Sequence, residues 1–203
     1  HFLRRSTAKK IRSPKWIYLS SLGENSLSFH QEIENYLKYH PEINLAFQPG
    51  TFQMKFGVEK LVGIYRMTKV FICNLQEAQR ILATKEDKPL ELMKRISWLG
   101  PKIVVITDGT NGAYAYDGND AWFMPPYPDP KPPFERTGAG DAFSSTFVAA
   151  LAMGKTIEEA LMMAPINSMS VVQYIGAREG LLTLSEIEKY LQQAPGDYRP
   201  RRI

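Results

Sequence analysis

The feature that most limits what this chain can fold into is a rhythm: short apolar runs, each followed by a stretch with helical spacing. Trp16–Ser20 reads as a buried strand, and Ile43–Gln48 as a second, closed by Pro49-Gly50. Val70–Cys73 and Ile103–Thr107 read as a third and a fourth. Between them, residues 28–39 place Phe29, Ile33, Tyr36 and Leu37 at helical intervals, and residues 56–67, 75–83 and 88–98 also read as helices. Parallel strands need a crossover connection, and a helix supplies it. The alternation therefore predicts an α/β fold, a parallel sheet with helices on both faces.

After Thr107 the rhythm changes. Ala113–Tyr116 and Ala121–Met124 flank Asp117-Gly118-Asn119-Asp120, which predicts a hairpin. Residues 125–133, PPYPDPKPP, hold six of the 14 prolines. Such a stretch can be neither helix nor central strand, so it predicts an extended surface loop. Apolar spacing predicts helices over 139–153, 156–174 and 184–193. Met153, Met162, Met163 and Met169 fall at core positions of these helices, while His1, His30 and His40 show no metal-ligand spacing.

The loop leads into Glu135-Arg136-Thr137-Gly138-Ala139-Gly140-Asp141-Ala142-Phe143, and then a helix of small and apolar residues. A Gly-x-Gly turn entering a helix leaves free N–H groups at the positive end of the helix dipole. That is an anion site, suited to a phosphate during transfer. Gly138 and Gly140 let the backbone approach the anion, and Asp141 in the first turn can accept a proton from an attacking hydroxyl. Taken locally, Asp141 also fits as a favourable first-turn acid and the glycines as a plain turn. A Walker A loop is disfavoured because no Gly-Lys-Ser/Thr follows. A dinucleotide fingerprint is disfavoured because GxGxxG is incomplete.

TGAGDAF, preceded by a strand pair and followed by a small-residue helix, resembles the carboxy-terminal signature of the ribokinase-like (PfkB) sugar kinases. Other segments match in order. Asn74-Leu75-Gln76-Glu77 is similar to the family's NxxE motif, and Thr107-Asp108-Gly109-Thr110-Asn111-Gly112 to its TxGxxG nucleotide loop. Asn167, in a helix followed by Ile175-Gly176-Ala177, resembles the adenine-side helix and its loop. The resemblance runs from about Trp16 to Leu191. It implies a Rossmann-like three-layer α/β/α ribokinase-type fold. It also implies transfer of the γ-phosphate of ATP to a sugar or nucleoside hydroxyl.

Under that resemblance Asp141 is the base, and Gly138, Ala139 and Gly140 donate amides to the moving phosphoryl group. Asn74 and Glu77 organise Mg²⁺, although the same pair fits a helix capping box. Thr107, Gly109 and Gly112 line the nucleotide phosphates and ribose, Asn167 hydrogen-bonds near the adenine, and Arg136 touches phosphate or replaces a cation. The family writes an acid, a threonine and then Thr or Asn before GAGD, and this stretch helps to bind a monovalent cation in many members. Here Glu135, Arg136 and Thr137 stand there. Arg136 brings a fixed positive charge, which leaves cation dependence open. Against the family pattern the chain begins near Trp16, after the segment that supplies most sugar contacts and the β-sheet lid. A fold lacking both is therefore expected, as is little transfer by these residues alone.

The 203 residues suit one α/β domain: a basic leader over 1–15, strand–helix units and hairpin over 16–124, the Pro-rich loop over 125–134, and the anion-binding helix with the last helices over 135–203. The net charge of +4 comes from the ends. Residues 1–12 hold five basic groups and no acid, and the last five residues hold three more; without those eight, 17 basic face 21 acidic groups. That distribution argues against a nucleic-acid reader and for a small-molecule partner. No apolar run approaches the ~20 residues of a membrane span. The single cysteine, Cys73, excludes an internal disulfide framework and fits a cytoplasmic setting. The exposed sheet edge near Trp16–Ser20 makes the chain prone to association, with a homodimer as the simplest form. Two other functions compete: a nucleotide-binding module without turnover, and a Rossmann-like oxidoreductase.

Overall fold

The computed structural model describes residues 14–203, so most of the basic leader expected over 1–15 lies outside the described residues. Seven strands form one sheet in sequential order: β1 Trp16–Leu19, β2 Asn44–Phe47, β3 Thr68–Asn74, β4 Ile103–Thr107, β5 Ala113–Tyr116, β6 Ala121–Met124 and β7 Arg201–Arg202. The first four are parallel, and the hairpin β5–β6 and then β7 add antiparallel to β4. The crossover helices are α1 Leu27–Tyr39, α2 Thr51–Lys60, α3 Val62–Met67, α4 Leu75–Ile81 and α5 Pro89–Ser97. After the loop come α6 Ala139–Ala152, α7 Ile157–Val171 and α8 Leu184–Gln192.

The middle of the sheet is apolar and buried along residues 45–47, 70–73 and 103–106, because both faces are covered there. Along β3, Val70 and Ile72 join one cluster with Phe143, Phe147 and Leu161 of α6 and α7. Phe71 and Cys73 point the opposite way, into a second cluster with Ile33, Ile64 and Ile96 from α1, α3 and α5. The period of two thus sorts one strand between two helical layers, and the result is a three-layer α/β/α fold.

Three expectations change. The helix expected over 56–67 begins earlier, at Thr51, and is broken: Gly57 takes φ 81°, and Leu61 separates α2 from α3. The two-residue β7 was not expected, because Arg201-Arg202 carries no apolar pattern and is set by pairing with Trp122 and Phe123. Met153 is 50% exposed, because it caps the end of α6 rather than facing the sheet.

Candidate active site

Gln48, Asn74 and Thr107 follow or end β2, β3 and β4 at the carboxyl edge of the parallel strands, and Asn74 and Thr107 are register partners. This is the edge where open α/β sheets bind ligands. The first turn of α6 faces the same edge. Two clefts meet there, sharing Thr107 and Gly140. One, of about 150 Å³, is lined by Gly109, Gly112 and Arg136 and walled by Tyr127, Pro165 and Met169. The other, of about 210 Å³, is lined by Gln48, Asn74, Glu77, Gly138, Asp141 and Ser144.

The start of α6 differs from those of α4, α7 and α8. In α4, Asn74 Oδ1 accepts from Glu77 N at 2.8 Å and Glu77 Oε2 accepts from Asn74 N at 2.8 Å. Reciprocal boxes also close α7 through Thr156 and Glu159, and α8 through Thr183 and Glu186. No side chain caps α6, whose first residue follows Gly138 in the left-handed region at φ 81°. Ala142 N donates to Gly138 O at 2.8 Å, which starts the helix. Ala139 N turns to Arg136 O at 3.3 Å. Of the three amides expected as donors, Ala139 is therefore committed within the turn. The amides of Gly138 and Gly140, the other two, and that of Asp141, which was not expected as a donor, donate to no acceptor among the described residues. From the far side, Ser168 Oγ on α7 donates to Ala139 O at 3.0 Å, fixing the turn.

Asp141 is exposed on the cleft, and its Oδ1 accepts from Gln48 Nε2 at 3.0 Å. The Tyr18 hydroxyl donates to Gln48 Oε1. Burial pushes the Tyr18 phenol well up and the Asp141 charge adds to this, while a hydrogen bond with Ser144 opposes it. Burial also raises the Glu77 carboxyl; the Asn74 backbone bond and Arg80 pull it down, and Asp141 pushes it up slightly. The Cys73 thiol beside it is pushed far up, first by burial and then by Glu77, so it remains a buried thiol.

A testable consequence follows for Glu77. Its folded pKa lies above the ordinary 4.5, so the native state holds a proton that the unfolded chain has released. The stability it lends is complete below pH 4.5 and is lost as pH rises through the higher folded value. Glu77→Gln keeps a capping acceptor but removes the charge. Denaturation at a series of pH values should show the variant gaining on the parent as pH rises above that point. A constant difference would contradict the shift.

The structure brings together Gly109, Gly112 and Arg136 on one cleft and Asn74, Glu77, Gly138 and Asp141 on the other, with Thr107 and Gly140 on both. It does not bring Asn167 to either. That side chain is 6% exposed; its Nδ2 donates to Thr146 Oγ1 at 2.8 Å and its Oδ1 accepts from Leu182 N at 2.9 Å. Both ends of the amide are used in tying α7 to α6 and to the loop before α8. Its neighbours Ser168 and Met169 line the cleft instead. Among the described residues no group of three or more His, Cys, Asp or Glu side chains is arranged to hold a metal ion, and no helix is long and apolar enough to cross a membrane. Gln48 and Tyr18 were not expected at the site. The available signal was the place of Gln48, directly after a parallel strand and before Pro49-Gly50.

Residues 51–184 match the family described as pfkB family carbohydrate kinase. The chain is similar to fructoselysine 6-kinase of Escherichia coli K12, 34% identical over 96 residues, which is 47% of this chain and 36% of that protein. It is also similar to ribokinase of Bacillus subtilis, 38% identical over 93 residues, 46% of this chain and 31% of that one. The chain thus spans about a third of the length of these curated relatives. Among solved structures, Arabidopsis thaliana ribokinase complexed with ribose and ATP shares the fold, with a TM-score of 0.73 at 20% identity over 88% of this chain and 56% of that one.

Proposed function

The chain belongs to the pfkB family of carbohydrate kinases, and from that premise we propose that it forms the nucleotide-binding and catalytic part of an enzyme that moves the γ-phosphate of ATP to a hydroxyl of a sugar or nucleoside. One observation carries this reading. The uncapped start of α6, with Asp141 in its first turn, stands where the two clefts meet.

In this reading ATP occupies the cleft lined by Thr107, Gly109 and Gly112, with Arg136 facing its phosphates. The acceptor hydroxyl enters the other cleft. Asp141 takes the proton as the hydroxyl oxygen attacks the γ-phosphorus, the bond to the β-phosphate oxygen breaks, and ADP leaves. The amides of Gly140 and Asp141, at the positive end of α6, meet the charge on the transferring group. Such transfer depends mainly on positioning and electrostatics, so rigid donors suffice as the protein's contribution.

Asn74 and Glu77 fit a role around hydrated Mg²⁺. Glu77 spends only Oε2 on the capping box, and burial of its carboxyl is the kind of burden that a nearby cation relieves. Mg²⁺ retains several waters and takes oxygen ligands, so contact through water suits this pair. When bound, the ion supplies charge neutralisation at the phosphates. Arg136 stands on the nucleotide cleft as a permanent cation.

Titration calorimetry separates this reading from an oxidoreductase. ATP with Mg²⁺ should bind, and NAD should bind far more weakly. Tight NAD binding without any adenine-nucleotide binding would contradict the proposal.

A further inference from the structure

A carboxylate in the first turn of an exposed helix is free to rotate, and a general base must not be. What restrains Asp141 here comes from the far side of the cleft. Gln48 follows β2 directly, and its backbone N donates to Leu19 O at 2.9 Å, which ties it to the end of β1. Its side chain spans the cleft to Asp141 Oδ1 at 3.0 Å. An amide can present either end; the carboxylate only accepts and so takes Nε2, and the Tyr18 hydroxyl, donating to Oε1, holds the amide in that orientation. Burial, together with the Asp141 charge, keeps the Tyr18 phenol protonated, so its donor role is maintained. No described residue donates to Asp141 Oδ2.

We propose that Gln48, oriented by Tyr18, is a positioning residue for Asp141: it holds the carboxylate by Oδ1 so that Oδ2 faces the acceptor hydroxyl. This rests on the reading of Asp141 as the base. A neutral amide suits the task, since it fixes the carboxylate without the full charge of Lys or Arg. Tyr18 lies in β1, and Gln48 directly follows β2 with its backbone tied to the end of β1, so the restraint is anchored on the sheet.

The test uses the protein that carries this chain. In its NMR spectrum the Gln48 side-chain amide should be shifted from the free position and should return there in Asp141→Ala; an unshifted amide in the parent would overturn the proposal without any activity being measured. With ATP and the best acceptor from ribose, fructose, adenosine and cytidine, Gln48→Leu should lower kcat roughly ten- to a hundredfold and leave the KM for ATP within about twofold. Tyr18→Phe should lower kcat less. The double variant should be no worse than Gln48→Leu, because Tyr18 acts through Gln48. Additive losses, or an unchanged kcat in Gln48→Leu while Asp141→Asn is inactive, would overturn the positioning role and leave the base intact. Near-parental turnover in Asp141→Asn would instead overturn the base.

Discussion

Asp141→Asn should reduce phosphoryl transfer by about 10²–10⁴-fold, the usual effect of removing a general base, while nucleotide affinity stays near that of the parent. The amide has the same shape and still suits the first turn of α6. It can still meet Gln48 if its own oxygen faces Nε2. It cannot take a proton from the acceptor. The cleft proposed for the nucleotide is lined by Thr107, Gly109 and Arg136 and does not include Asp141. The expected pattern is therefore a fall in kcat with ATP binding intact. Steady-state kinetics and calorimetry on the same preparation check it. A variant that loses both together would point to a disturbed helix start.

Gly138→Ala should be nearly as damaging, for a different reason. Gly138 sits at φ 81°, where a side chain costs ~1–2 kcal/mol. An added Cβ would also stand 2.8 Å from Ala177 Cα, which is backbone and cannot swing aside. The turn or the loop after α7 must shift, and the amides of Gly140 and Asp141 shift with it. Loss of one well-aimed donor costs ~10²–10³-fold in kcat. We expect a loss of that order together with destabilisation of about 1–3 kcal/mol. Gly140→Ala makes the contrast. Nothing lies within 4 Å of a Cβ there and its φ is helical, so the fold should hold or gain slightly. Its methyl would project where the two clefts meet, so transfer should fall while denaturation midpoints do not. If Gly138→Ala kept both stability and turnover, the turn would not be the anion cradle.

The parallel half of the sheet was legible because its inner strands are apolar and buried on both faces and alternate with helices. Ile103–Thr107 and both hairpin strands appear at the expected residues, since Gly118 and Asn119 punctuate the turn between them. The break at Gly57 was not legible. A single glycine in a helical pattern is compatible with continuation, and nothing in the local sequence marks its positive φ. The site divides in the same way. Gly138, Gly140 and Asp141 are local, so one motif reveals them. Gln48 meets a carboxylate 93 residues away, and no spacing rule reaches that far. Asn167 misled for a related reason: a polar residue inside a helix offers two hydrogen-bonding ends, and Thr146 and Leu182 take both.

Asp141 and the start of α6 should transfer a phosphoryl group rather than merely hold a nucleotide. ³¹P NMR of the protein that carries this chain, incubated with ATP, Mg²⁺ and a panel of sugars and nucleosides, tests it most directly. A new phosphomonoester resonance should appear with one acceptor and grow in step with ADP, and neither signal should grow at a comparable rate with Asp141→Asn. ATP bound but left intact with every acceptor, or equal turnover in the variant, would contradict it.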